Sequence, residues 1–94
     1  MILRAYSVFD KKLVCYSRPW FVLNDAVAVR EFGDAVNDPN PSNQWRKHPE
    51  DFTLCNLGNF DDSTGEFIPI SPEHVIHAAA LVRGPDVESM KVVN

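Results

Sequence analysis

Residues 2–17 alternate apolar and polar side chains around one short interruption, and that period of two reads as a β-hairpin. Ile2 to Phe9 forms the first arm, Asp10-Lys11-Lys12 breaks the pattern, and Leu13 to Ser17 resumes it. Side chains two apart share a face of a strand. One face of the predicted hairpin therefore carries Leu3, Ala5, Ser7 and Phe9 with Leu13, Cys15 and Ser17. The other carries Ile2, Arg4, Tyr6 and Val8 with Val14, Tyr16, Arg18 and Trp20. The first set is the better core face. Pro19 ends the ladder or marks an edge, because proline has no backbone donor.

Beyond the hairpin the period changes. Ala26, Val29, Phe32, Gly33 and Val36 recur at steps of three and four, which predicts an amphipathic helix over 25–37. Asn24 is its expected cap, and Asp25 suits the positive N-terminal end. Gly33 is expected to let this helix pack closely on a sheet. The segment from Asn37 to Asn43, with two prolines, stops it. Phe52 to Phe60 reads as another strand, with Gly58 at a bulge. Asp61-Asp62-Ser63-Thr64-Gly65 reads as a hairpin loop, and Glu66 to Ile70 as the returning strand. Ser71-Pro72-Glu73 has the form of a helix start and predicts a short helix over about 72–80, with extension of 77–82 as a strand the alternative. The predicted fold is α+β, ordered β-β-α-β-β: two antiparallel hairpins with a helix packed on a small sheet, then a short C-terminal helix. Residues 1–82 form the domain, and 83–94 are expected to be a flexible tail.

Charge is distributed unevenly. Residues 1–20 hold Arg4, Lys11, Lys12 and Arg18 against Asp10 alone, while the remainder holds five basic and twelve acidic side chains. The net charge of −4 argues against generic duplex binding, which relies on a basic excess. The local excess at the N-terminus, interleaved with Tyr6, Tyr16 and Trp20, instead suits single-stranded nucleic acid: bases stack on rings and phosphates pair with cations. The competing reading places the rings in the core and the cations on a solvated rim. Trp45-Arg46-Lys47-His48 is a second such cluster, and Trp45, in a loop rich in proline and asparagine, is the better stacking candidate. Cys15 and Cys55, 40 positions apart without a CxxC pair, are expected to be reduced and unlinked. No apolar run long enough for a membrane span is present, and no signal peptide is expected. His74 and His77 offer one close pair where a zinc site needs three or four ligands, so no metal or cofactor is expected.

The opening Met-Ile-Leu-Arg-Ala-Tyr-Ser-Val-Phe-Asp, then Asn37-Asp38-Pro39, His48-Pro49-Glu50-Asp51-Phe52 and Gly58-Asn59-Phe60-Asp61-Asp62-Ser63-Thr64-Gly65, together resemble the small nonstructural protein of gokushovirus-type microviruses, phages with circular single-stranded DNA genomes. The likeness runs from residue 1 to about residue 82. It implies a protein made in the cytoplasm of an infected bacterial host, outside the capsid, with a part in viral DNA replication. It supplies no catalytic residues. The expectation is thus a non-enzymatic accessory protein that binds single-stranded DNA through Arg4, Tyr6, Lys11, Lys12, Tyr16, Arg18, Trp20, Trp45, Arg46 and Lys47, and that forms a homodimer. The alternative is a protein-interaction module acting on the phage replication initiator or a host replication protein, with Asp34, Asp38, Glu50, Asp51, Asp61 and Asp62 as its acidic contacts.

Overall fold

The N-terminal strand β1 (Ile2–Asp10) lies at the centre of an antiparallel sheet, because both its edges are paired. On one edge it pairs with two short strands, β2 (Cys15–Tyr16) and β3 (Trp20–Val22); on the other it pairs along its whole length with β4 (Phe52–Asp61). β4 in turn pairs with β5 (Phe67–His77), which forms the far edge. One long helix, α1 (Asp25–Val36), and one short helix, α2 (Gln44–Lys47), complete the α+β fold, with 3-10 turns at Pro49–Asp51 and Ala78–Leu81. The computed structural model describes residues 1–84; the predicted tail beyond Gly84 lies outside the described residues.

The helix begins and ends where its side chains can satisfy free backbone groups. The Asn24 side chain accepts from the Val27 amide at 3.0 Å, and Asp25 occupies the first turn. At the other end Asn37 Nδ2 donates to the Gly33 and Leu81 carbonyls at 2.7 and 2.8 Å, and Asn43 Nδ2 donates to Ala35 at 2.9 Å. These amides do the work that a C-terminal glycine often does. Gly33 is buried against Leu81, so its closeness serves the C-terminal turn rather than the sheet.

The predicted core face of the hairpin is the wrong one. α1 packs with Ala28, Phe32 and Val36 onto Tyr6, Val8, Phe52 and Leu54, the face that Arg4 shares. At the centre of β1 the two faces differ in bulk, with Tyr6 and Val8 on the side that α1 covers and the smaller Ala5 and Ser7 on the other. Tyr16 also changes sides. It stands opposite Phe9 in the ladder, which puts both rings on one face with centroids 4.9 Å apart. The parity is reset in the turn, where Val14 adopts φ 55° and leaves the strand pattern. A β-branched residue in that region costs about 1–2 kcal/mol.

The predicted C-terminal helix is replaced. β5 runs through Ser71-Pro72-Glu73 to His77, and only the 3-10 turn Ala78–Leu81 follows. Pairing with β4 satisfies more backbone groups than a helix of two turns can, and the two prolines are accommodated because β5 is an edge and the register shifts beside them. The Arg83 amide donates to Asn37 Oδ1 at 2.8 Å and its guanidinium to Asp34 at 3.0 Å.

Candidate nucleic-acid interface

The register assigns every paired side chain to one of two faces. The face covered by α1 collects Arg4, Tyr6, Trp20 and Val22 from the N-terminal strands, and Asp61, Ile68 and Glu73 from the β4–β5 hairpin. The opposite face collects Leu3, Ala5, Ser7, Phe9, Tyr16, Phe21, Thr53, Cys55, Phe60, Phe67, His74 and His77. No paired position on this second face carries a carboxylate, and among the described residues no helix packs on it.

This open face is aromatic at both ends of β1. Phe21, opposite Ala5, and Phe60, opposite Leu3, bring their rings to 5.3 Å across the strand. That closure explains the small residue: Ala5 is buried although no helix reaches it. Phe67 pairs with Phe60 and extends the patch. Phe9 and Tyr16 make the second pair, about 13 Å further along β1 at about 3.3 Å per residue. Tyr16, Phe21 and Phe67 remain 43%, 44% and 46% exposed, so their ring faces are open to contact. Ser7 between the pairs is held by Ser17, whose carbonyl accepts from Ser7 Oγ at 2.6 Å. His77 is fixed by Thr53 Oγ1 at 2.9 Å from its Nδ1.

The sequence-predicted site residues divide sharply. Tyr6 is fully buried and has no ring face free for a base, which corrects its assignment as a stacking residue. Its hydroxyl donates to Asp25, and Asp25 also pairs with Arg4 at 3.2 Å, so Arg4 is already neutralised. Lys11 pairs with Asp51 at 3.8 Å. Trp45 is half-buried rather than free in a loop: it meets Phe32 edge-on at 5.2 Å and Phe52 at 6.3 Å. Trp20 is likewise half-buried, with its ring 6.3 Å from Tyr6. Both tryptophans thus seal the edge of the helix-covered core, and the ring surface they keep lies across the sheet from the open face. Tyr16 alone among the predicted rings joins that face. Lys12, Arg18, Arg46 and Lys47 are exposed and make no ion pair among the described residues. Phe9, Phe21, Phe60 and Phe67 went unrecognised; the signal that finds them is the pairing of Phe21 with Ala5 through a third short strand.

The Arg4–Tyr6–Asp25 group has a measurable consequence. Burial first, then the Asp25 carboxylate, push the Tyr6 phenol up to about 12, against the opposing pull of Arg4. The unfolded phenol titrates near the ordinary tyrosine value of 10.0, so the folded state holds the proton more tightly. Stability from this group is complete below pH 10 and declines as pH rises through 12. The expected loss is about 2–3 kcal/mol at about 1.4 kcal/mol per pH unit of difference. Urea unfolding of the wild type and of Tyr6→Phe between pH 9 and 12 checks it: the variant should lack this decline.

Metal-ligating types converge at one place among the described residues: His48, Glu50 and Asp51, with candidate ligand atoms within 4.8 Å of each other. Existing pairs account for the grouping, Asp51 with Lys11 and Glu50 with His48 at 4.0 Å. Cys15 is exposed and Cys55 buried, and both are free thiols; burial pushes the Cys55 thiol up. No helix among the described residues is long and apolar enough to cross a membrane.

Comparison with known proteins agrees with the resemblance read from the motifs. A family model described as Phage ORF5 protein matches residues 3–81. Protein ORF5 of Chlamydia phage 1 is 34% identical over 67 residues, covering 69% of this chain and 70% of that relative. No solved structure matches. A small α+β domain with these relatives is a phage protein of the microvirus kind. The chain belongs to the phage ORF5 family.

Proposed function

We propose that this protein binds single-stranded DNA on the open face of its sheet, as a non-enzymatic accessory of phage DNA replication in the host cytoplasm. One observation carries the reading: the strand register gathers Phe9, Tyr16, Phe21, Phe60 and Phe67 on a face with no paired carboxylate, in a chain of 13 acidic residues. Exposed rings on a sheet offer stacking platforms to unpaired bases, and they discriminate against duplex DNA because its bases are already stacked. Lys12 and Arg18, on the β1–β2 turn and the β2–β3 link, supply cations near the Phe9–Tyr16 end. With so few cations per chain the affinity is modest, and a homodimer would double them.

The test is a titration of labelled oligothymidylate at two salt concentrations. Binding should weaken as salt rises, because phosphate pairing releases counterions. Tyr16→Ala and Phe21→Ala should each cost about 1–3 kcal/mol of affinity, and Trp45→Phe should cost nothing. Affinity that ignores both the salt and these two rings would overturn the proposal. A second reading, in which the protein redirects the replication initiator or a host replication protein, is favoured by Phe67, Ile68 and Ile70, exposed on the edge strand β5. The acidic contacts foreseen for that role are mostly engaged: Asp34 with Arg83, Asp51 with Lys11, and Asp61 and Asp62 with the N-terminal amine.

A further inference from the structure

The helix-covered side of the sheet carries a second feature, independent of the DNA reading. Between Trp20 and Trp45, over Phe32, lies a slot of about 210 Å³ whose remaining walls are Glu31 and Ala35. The two tryptophans come from distant parts of the chain, β3 and α2, and both line this slot beside the α1 residues Glu31, Phe32 and Ala35. The side chains forming the slot are aromatic or aliphatic with one exception, the Glu31 carboxylate. Glu31 is exposed and makes no ion pair among the described residues. Its own helix gives it no cation: the positions three and four away are Val27, Ala28, Asp34 and Ala35.

Indole faces attract cations through the ring quadrupole, and a carboxylate at the rim adds a directional acceptor. A guanidinium satisfies both demands at once. It is planar, so it stacks on an indole, and its N–H fork can donate two parallel bonds to one carboxylate. An ammonium offers a point charge with no plane to stack, and it is more strongly hydrated. The net charge of −4 adds a long-range attraction for a basic partner.

We propose that the Trp20–Trp45 slot binds an arginine side chain presented by a basic polypeptide partner, with Glu31 pairing the guanidinium and the indoles stacking on it. The slot and the open aromatic face lie on opposite sides of the sheet. The protein can therefore hold an arginine-bearing segment and a single strand at the same time.

Both walls are intrinsic fluorophores, so the test reads the site directly. The full chain is titrated with acetyl-Gly-Arg-Gly-amide, and with the same tripeptide carrying citrulline, which keeps the shape and loses the charge. The expected result is a saturable change in tryptophan emission with arginine and none with citrulline. Glu31→Gln, a substitution at an exposed site, should weaken the arginine response by about threefold or more. Trp45→Phe, which keeps an aromatic ring against Phe32, should weaken it similarly. Thermal unfolding of both variants confirms that they are folded at the titration temperature. Equal responses to arginine and citrulline, an unsaturable response, or arginine binding unaffected by Glu31→Gln in the folded variant would overturn the proposal. Binding of oligothymidylate is measured on the same samples, so failure of this site and failure of the DNA face are distinguished.

Discussion

Gly58→Ala should cost about 4 kcal/mol of stability, from backbone strain of about 1–3 kcal/mol and steric displacement of a similar size. Gly58 lies where both its neighbours shift register, between Ala5 and Tyr6 on β1 and again between Asn56 and the β5 strand. The Asn56 side chain accepts from its amide at 2.9 Å and pins the bulge. Its φ of +144° lies in a region that side chains rarely adopt. A Cβ there would stand 2.3 Å from the Ile68 carbonyl oxygen and 2.9 Å from the Pro69 Cα. Both obstacles are backbone, so relief requires β5 to move away from β4. A chain of this length holds about 5–14 kcal/mol in total, so the variant should unfold at far lower urea, or fail to fold at all. Gly65→Ala is the control. Gly65 also has positive φ, +76°, but a Cβ there meets nothing within 4 Å, so the cost should be about 1 kcal/mol. Urea midpoints of the two alanine variants that coincide would show that the close approach of β5 is not what requires glycine at 58.

The same bulge shows why the sequence could be read only in part. Elements set by local patterning were legible: the strand from Ile2, the helix capped by Asn24, and the loop closed by Gly65 with positive φ. A hydrophobic period, a capping side chain and a turn residue each act within a few positions, so they can be read without knowing the fold. What failed depended on distant partners. Ser71-Pro72-Glu73 is a sound local helix start, but pairing of β5 with β4 overrides it. Tyr6 and Trp45 share the composition of a stacking site, yet burial against Phe32 and Phe52, and the bond to Asp25, are decided by residues 7 to 46 positions away. Rings within the N-terminal strands are legible in the sequence; which of them share the open face is not, because Tyr16 and Phe21 are assigned to it only by their pairing with Phe9 and Ala5. Which face stays open follows from which face α1 covers, and the alternation of β1 alone is nearly neutral on that choice, with Tyr6 and Val8 against Leu3 and Phe9.

Two phenylalanines on opposite faces turn that choice into an experiment. Phe32→Ala should lose about 3–5 kcal/mol, the usual cost of emptying a packed aromatic site. Phe32 is 1% exposed, with Trp45 against its edge and Tyr6, Val8, Val36 and Leu54 in the same cluster. The helix cannot shift to refill the space, because α1 is held at both ends by Asn24 and Asn37. At about 4–8 °C of midpoint per kcal/mol for a domain of this size, thermal unfolding should fall by tens of degrees. Phe21→Ala removes the same ring from a site that is 44% exposed, where neighbouring Phe60 retains its contact with the sheet. That variant should lose only about 1 kcal/mol of stability. Its loss should register instead in affinity for a single strand. Circular dichroism melts and oligothymidylate titrations on both variants separate the roles. If Phe21→Ala melts as early as Phe32→Ala, the open face is packed in solution and cannot be the surface that meets DNA. If Phe21→Ala stays folded and binds as tightly as the wild type, its ring takes no part in stacking, and the exposed apolar edge of β5 becomes the stronger claim on a partner.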